Sequence, residues 1–584
     1  MRLKWLFLIS LVGAFLALTL QSLAITVPPP APVLFFSDLT SGPATGNSDP
    51  TYSGTGGVYV TLYGNFLASP TVTLNGANCL TVVSQPTVWM WYQRMVVKLG
   101  TACTTGNFVV TTSGGTSNGI PFTVRAGNIY YVSTTGNDAS TGSFSAPWAT
   151  LTKAKQTMAD GDITYPENGV SATADDGEGW GSVYTLRPQW CGSGTGTAYP
   201  RALVAYPGAT VTLGNVAAGG AMATRATTSC LGYYTFAGLT LRGGDSAVSI
   251  TQAGGSWMYS WRFVGNDLSA PNASISAQAG LMDGGDIKGF SDLGNNIHNA
   301  ATNDNPAQVT ALYHGWYFGR LQNADIGWNT IAFVYGCRGM QIYASGSTTA
   351  QKDFNYLIHD NVIHDTQCDG IGGYDNIDAS QGYFKIYNNV IYNAGKGPYV
   401  DGGDWACIYL TGAPTGGTIN VYNNTLYNCG SIANPPYPSI GAFLGGSGAT
   451  LIQADNNIIY QSIGSTNSAG HTYLWDESSG GSLWSGKNNL FFSGFGVVTL
   501  ASGGVTANFT NSLNVDPSFV NTGTDFHISS SSPANGAGTT TSLPTYDHDG
   551  LIRPSPPSIG ASEYAPGAAA TKPNPPTNLN VVVN

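Results

Sequence analysis

Asp360-Asn361-Val362-Ile363-His364 is followed by Asn388-Asn389-Val390-Ile391-Tyr392, Asn423-Asn424-Thr425-Leu426-Tyr427 and Asn456-Asn457-Ile458-Ile459-Tyr460. With Asn266, Asn295, Asn329 and Asn489, the second asparagine of these words recurs at steps of 29, 34, 32, 28, 35, 33 and 32 residues. Two residues after each stands an apolar side chain: Leu268, Ile297, Ile331, Ile363, Ile391, Leu426, Ile459 and Phe491. A period of this size marks a solenoid, whose repeats bury their apolar faces only against one another. The words are β-branched and aromatic and lie between Gly, Asn and Asp, as short strands do. Long stretches of period 3.6, which a helical array needs, are absent. With 9% charged residues and 77 glycines, the expected fold is all-β, a coil of short strands joined by tight turns. Each asparagine is then expected about 4.8 Å above the last, its amide hydrogen-bonding along the stack.

Three segments carry a resemblance to the right-handed parallel β-helix proteins of the pectate-lyase-like superfamily. They are Ile129 to Asp138 running into Ala146-Pro147-Trp148-Ala149-Thr150-Leu151, the asparagine coils, and an exit from Asp516-Pro517-Ser518-Phe519 to Ser558-Ile559-Gly560-Ala561. The resemblance implies a right-handed parallel β-helix over residues 126–564, secretion, action on polysaccharides, and a substrate groove in the middle of the solenoid. It does not name a reaction, because enzymes, adhesins and phage-tail proteins share the architecture.

Arg2 and Lys4 precede an unbroken apolar stretch from Trp5 to Leu20, and Ser22-Leu23-Ala24 offers a small-x-small cleavage pattern, so residues 1–24 read as a signal peptide. Nothing later is apolar enough to span a bilayer. Removing the leader takes away two basic and no acidic residues, which carries the formal charge from -11 to -13. A Lys-poor, acidic surface argues against nucleic acid or anionic membranes as partners. Eight cysteines without a C-x-x-C pair suit disulfides in an oxidising compartment. Cys79 with Cys103 lies in one small domain, and Cys337 and Cys368 share a phase on successive repeats; Cys407 with Cys429 and Cys191 with Cys230 are further pairings.

A Pro-rich joint, 25–32, leads to a module at 33–125 with strand-sized runs such as Gly57 to Phe66 and Asn107 to Thr112, expected to form a small immunoglobulin-like β-sandwich. Its words resemble the IPT/TIG domain, which implies a spacer or cell-surface association. Trp89, Trp91 and Tyr92 are candidates for an exposed aromatic platform for sugar rings. Residues 565–584 read as a flexible Pro- and Ala-rich tail.

The chemistry is expected where polar side chains share a phase on neighbouring coils. His314, Arg338, Asp369 and Lys396 are the catalytic candidates, and Tyr317, Arg320, Gln341, Tyr343 and Trp405 the substrate-binding ones. Asp369, Asp375, Asp401 and Asp404 supply hard oxygen donors of the kind Ca²⁺ takes. In a lyase, Arg338 would clamp a uronate carboxylate while Lys396 or His314 acts as base; in a hydrolase, two carboxyl groups would flank the glycosidic bond. The expected function is cleavage of an acidic, uronate-containing polysaccharide by one of these routes. The alternative is a non-catalytic surface or matrix protein. Structural readings stand beside the functional ones. Asp-Gly-Gly-Asp at 283–286 and 401–404 is a tight-turn composition, and His298 and His364 share the phase of Tyr392, Tyr427 and Tyr460, as members of a side-chain stack.

Overall fold

The computed structural model describes residues 28–565 except 53–55, 179–180, 193–199, 218, 225–231, 252–255, 277–278, 302–311, 344–352, 375–376, 398–404, 412–416, 430–439, 444–450, 462–471, 477–482, 494–498, 504–505 and 542. From Ile129 to Asn514 the described residues form a right-handed parallel β-helix. Most coils contribute three strands. Those leading to the ladder asparagine, such as Phe354–His359 and Phe384–Tyr387, build face 1. Those following it, such as Val362–Thr366 and Val390–Tyr392, build face 2. Met340–Tyr343, Ile371–Tyr374 and Ile408–Thr411 belong to face 3. Ile297, Ile331, Ile363, Ile391, Leu426 and Ile459 pair in register from coil to coil and are buried. Each such side chain contributes about 1.5–3 kcal/mol by leaving water.

The doubled asparagine has two separate causes. The first residue of each word turns the corner between faces 1 and 2 in the left-handed region, with φ of 52° at Asp360, 55° at Asn388, 53° at Asn423 and 56° at Asn456. Asn and Asp tolerate that conformation better than other side-chain-bearing residues do; Gly265 and Gly294 serve on earlier coils. The second residue points inward. Asn361 Oδ1 accepts from the backbone N–H of Asn329 at 3.0 Å and from its Nδ2 at 3.1 Å, while Asn361 Nδ2 donates to Asn389 Oδ1 at 3.0 Å and to the Ile326 carbonyl at 3.0 Å. Asn389, Asn424 and Asn457 repeat the pattern. Asn295 departs from it, because its amide donates to the Asp292 carboxylate.

The leading segment closes the first coil. Trp148 packs on Tyr130, and the helix Leu151–Thr157, capped by the Thr150 hydroxyl, buries Leu151 and Ala154 against the first coils. Three disulfides link Cys79 to Cys103, Cys337 to Cys368 and Cys407 to Cys429, with Cα–Cα distances of 5.3, 4.6 and 5.2 Å. Cys191 is disulfide-bonded too, and Cys230 lies outside the described residues.

Residues 33–124 form a β-sandwich of a four-stranded and a five-stranded sheet. It does not stand apart, and this corrects the reading of Trp89, Trp91 and Tyr92 as a sugar platform. Trp89 Nε1 donates to the Gly294 carbonyl at 2.9 Å, and Tyr92 Oη donates to the Trp328 carbonyl at 3.0 Å. Trp91 stacks on His548 of the exit segment. The sandwich thus covers the corner at Gly265, Gly294 and Trp328, where Tyr63, Phe36 and Phe35 pack. The exit segment covers the same corner further along: Asn388, Asn423, Asn456 and Asn488 donate to the carbonyls of Tyr546, Gly560, Thr539 and Ala537.

A second correction concerns Asp283 to Asp286. This is no turn but the middle of a 15-residue strand, Ala279–Leu293, that runs from face 3 onto face 1 beside its equal, Tyr313–Gly327. The bend between the faces falls at Asp286 and Arg320, both at positive φ, and the two side chains pair there, Nε to Oδ1 at 2.5 Å and Nη2 to Oδ2 at 2.8 Å. The other copy, 401–404, lies outside the described residues.

Candidate functional site

Face 3 carries the site. Met282, Trp316, Met340, Ile371 and Ile408 are in register and buried in the core. Strand alternation therefore turns the next residues outward: Ser249, Asp283, Tyr317, Gln341, Gly372 and Tyr409 form one column across successive coils. Tyr317 and Tyr343 are half-buried, with ring planes 19° from parallel and centroids 6.2 Å apart. Gly372, without a side chain, leaves a gap in the column between Gln341 and Tyr409.

At the edge of this face lies a buried polar cluster. Arg338 Nε donates to Asp369 Oδ2 at 3.0 Å, and Arg338 Nη1 to Gln341 Oε1 at 2.9 Å. Asp369 Oδ1 accepts from the Ala406 backbone N–H at 2.7 Å. The guanidinium lies 5.3 Å from the centroid of the Trp405 ring, which is itself packed against the Cys337–Cys368 disulfide. The arginine side chain is 8% exposed and that of Asp369 0%. Removing one partner of such a pair strands a buried charge, at about 3–5 kcal/mol.

His314 sits behind the cluster. Its Nδ1 accepts from the Arg338 backbone N–H at 3.3 Å, and its ring lies 5.3 Å from that of Tyr317. Burial and the positive charge of Arg338 hold the imidazole well below its usual pKa, so it is neutral. With Nδ1 accepting, the neutral ring carries its proton on Nε2 and is a donor there. This argues against His314 as a base through Nε2.

His314, Tyr317, Arg338, Gln341, Tyr343, Asp369 and Trp405 therefore come together, with roles that differ from the expectation in places. Trp405 is fully buried beneath Arg338 and supports the arginine instead of meeting a sugar. Arg320 belongs to the Asp286 pair at the bend between faces 3 and 1. Lys396 is turned to face 2, where its ammonium bonds Asp365, a carboxylate that also contacts His364 Nδ1 at 2.7 Å. Burial works to raise the Asp365 carboxyl, but His364 and Lys396 overcome it and hold it below its ordinary value. Lys396 is thus taken up as a counter-ion, away from Arg338. His364 stacks on Tyr392 at 4.6 Å with planes 5° apart, as the shared phase implied.

Asp375, Asp401 and Asp404 lie outside the described residues. The fourth expected calcium ligand, Asp369, does not fit the role, because its two oxygens are occupied by Arg338 and Ala406 N. Among the described residues no cluster of three or more His, Cys, Asp or Glu is arranged to hold a metal ion.

Asp283 escaped the sequence reading. Its Oδ2 accepts from Ser246 Oγ at 2.9 Å, while its buried Oδ1 has no hydrogen-bond partner. Burial raises its pKa to about 6, against the lowering effect of Ser249, Ser246 and the Gly280 N–H. A signal was present: Asp283 stands 34 residues before Tyr317, one repeat away, but the two glycines after it pointed to a turn.

No protein-family model matches the chain, and no curated protein sequence matches it. Among solved structures it is similar to the pectate lyase Pel9A, at 16% identity over 75% of this chain and 96% of that one, with a TM-score of 0.37. It is also similar to the GH136 lacto-N-biosidase from Eubacterium ramulus, at 15% identity over 66% and 68% of the two chains and a TM-score of 0.33. A third likeness is to XylC in complex with xylose, at 10% identity over 76% and 99% and a TM-score of 0.31.

Proposed function

We propose that face 3 binds a polysaccharide containing uronate residues and that the chain cleaves it, as a secreted enzyme with the sandwich as an IPT/TIG-like module. One observation carries this reading: a desolvated arginine, Arg338, oriented by Asp369, Gln341 and Trp405 near two half-buried outward tyrosines. Electrostatic contacts to a carboxylate strengthen where water is excluded, and an aromatic face packs well on the C–H side of a sugar ring. Burial, Tyr343 and Asp283 raise the Tyr317 phenol to about 12, against the lowering effect of Arg320 and Arg338, so charges of both signs act on the platform.

In this reading Tyr317 and Tyr343 hold the sugar rings, Arg338 and Gln341 orient a uronate carboxylate, and the Nε2–H of His314 is a hydrogen-bond donor behind them. Neutralising the carboxylate is what makes the neighbouring C–H acidic enough for β-elimination. The test is to incubate the protein with a panel of uronate polymers. Elimination produces the ultraviolet absorbance of a conjugated C=C bond together with new reducing ends; hydrolysis produces the reducing ends alone. Binding without either would leave a non-catalytic surface protein.

A further inference from the structure

We propose that Asp283, with Tyr317 beside it, forms a subsite that accepts an uncharged sugar and turns away a uronate, so that face 3 selects a glycan in which acidic and neutral residues are mixed. This rests on the reading of face 3 as a polysaccharide groove and names the kind of polymer it takes.

The geometry begins with register. Asp283 is one coil from Tyr317 and two from Gln341 in the same outward column. Adjacent strands are about 4.8 Å apart, so Asp283 and the Arg338–Gln341 end are on the order of 10 Å apart along the groove. A glycan lying along the column meets the two ends with different sugar residues. At one end it meets a guanidinium and an amide. At the other it meets Tyr317, with the enclosed Asp283 carboxylate one coil away in the same column. An aromatic face next to a buried negative charge suits a neutral pyranose, which packs its C–H face on the ring and carries no charge to be repelled.

The charge balance points the same way. Among the described residues, the groups that face Asp283 are Ser246, Ser249, the Gly280 N–H and Tyr317, with Tyr313 and Asp245 close by. None of these is a cation, and Arg320, the nearby base on the adjoining strand, is held by Asp286. A uronate placed there would meet an uncompensated negative charge in a partly desolvated setting, where like charges repel strongly. Because burial lifts the Asp283 carboxyl to about 6, this discrimination is expected to fade as the pH drops below that value.

The experiment is calorimetric titration of wild type, Asp283→Asn and Arg338→Ala with two oligosaccharide probes of equal length, one all-uronate and one alternating uronate with neutral sugar. Wild type is expected to prefer the mixed probe at pH 8 and to lose most of that preference at pH 5. Asp283→Asn, nearly isosteric, should bind the all-uronate probe at least about ten-fold more tightly than wild type at pH 8, the effect of removing a like charge worth one pKa unit or more, and show no such pH dependence. Equal affinities of wild type and Asp283→Asn for the all-uronate probe would overturn the proposal while leaving the groove intact. If Arg338→Ala binds both probes as wild type does, the reading of face 3 itself falls, whatever Asp283 does.

Discussion

Trp91 stacks on His548, with ring centroids 4.8 Å apart and planes 10° from parallel, and so ties the amino-terminal sandwich to the exit segment. Asn65 adds to the junction by donating to the Asp549 carbonyl at 2.9 Å. Together the two segments cover one corner of the solenoid along much of its length. Trp91→Ala is expected to cost about 1–3 kcal/mol, from lost aromatic contact and burial, and to expose the exit segment to protease. Calorimetry and limited proteolysis check this; an unchanged melting profile and cleavage pattern would mean that the junction is only a contact.

The ladder gives a second expectation. Asn361→Ala removes the partner of the Asn329 backbone N–H, one of the two acceptors of the Asn329 amide, and the side-chain donor to the Ile326 carbonyl, all in a dry interior. Each orphaned group costs about 1–3 kcal/mol, so the variant should lose several kcal/mol in a denaturant titration. Surface substitutions on the same coil should lose far less.

Much of this was legible in the sequence. The position of Asn361, Asn389, Asn424 and Asn457 is dictated by a period that every coil must repeat, and a polar amide flanked by buried isoleucines has only its counterparts above and below to bond. The first asparagine of each pair was not understood, because a left-handed corner is a local φ requirement that Asn, Asp and Gly all meet. The site was legible only in part. Phase located Arg338, Gln341 and Asp369 together, but phase does not say which way a long side chain turns, and Lys396 went to Asp365 on the other face. Trp89, Trp91 and Tyr92 read as one exposed platform but stand at a hairpin between the strands Leu80–Trp89 and Tyr92–Gly100, and the surface that covers them comes from residues hundreds of positions away.

The titration of buried groups sets a pH dependence. His359 is held between Asp325 and Asp360; burial disfavours its charge, but the two carboxylates overcome this and raise its pKa to about 9 from 6.5. Its stabilisation is fully present below pH 6.5 and is lost as the pH rises through 9. His359→Gln should therefore be least stable relative to wild type near pH 6 and approach it above pH 9, as followed by thermal melts across about pH 6–10.

Asp292 also loses stability as the pH rises, but as a net cost of the folded state and over a lower range. Burial raises it to about 7, against the lowering effect of Asn295. A carboxyl raised in the folded state costs stability progressively from its unfolded pKa of 3.8 up to about 7 and keeps that cost above. Asp292→Asn should raise the melting temperature at pH 8 and change it little at pH 4. A larger gain at pH 4 than at pH 8 would show that Asp292 is ionised without penalty.

The disulfide under the site is expected to matter for function as well as stability. Replacing both Cys337 and Cys368 by alanine removes a link across a separation of 31 residues, worth about 2–4 kcal/mol. It also loosens the packing of Trp405 beneath Arg338. Glycan affinity should fall along with the melting temperature, whereas loss of the Cys79–Cys103 link in the sandwich should leave affinity unchanged.

The most direct measurement is the release of reducing ends from uronate-containing polymers by wild type and Arg338→Ala, with circular dichroism to confirm that the variant keeps its coils. Wild type should cleave at least one such polymer, and the variant should be slower by about a hundred-fold or more, the scale of losing an oriented charge at a reacting centre. Equal rates in the two proteins, or no release from any uronate polymer by wild type, would contradict the assignment of face 3 as a cleavage site for acidic glycans.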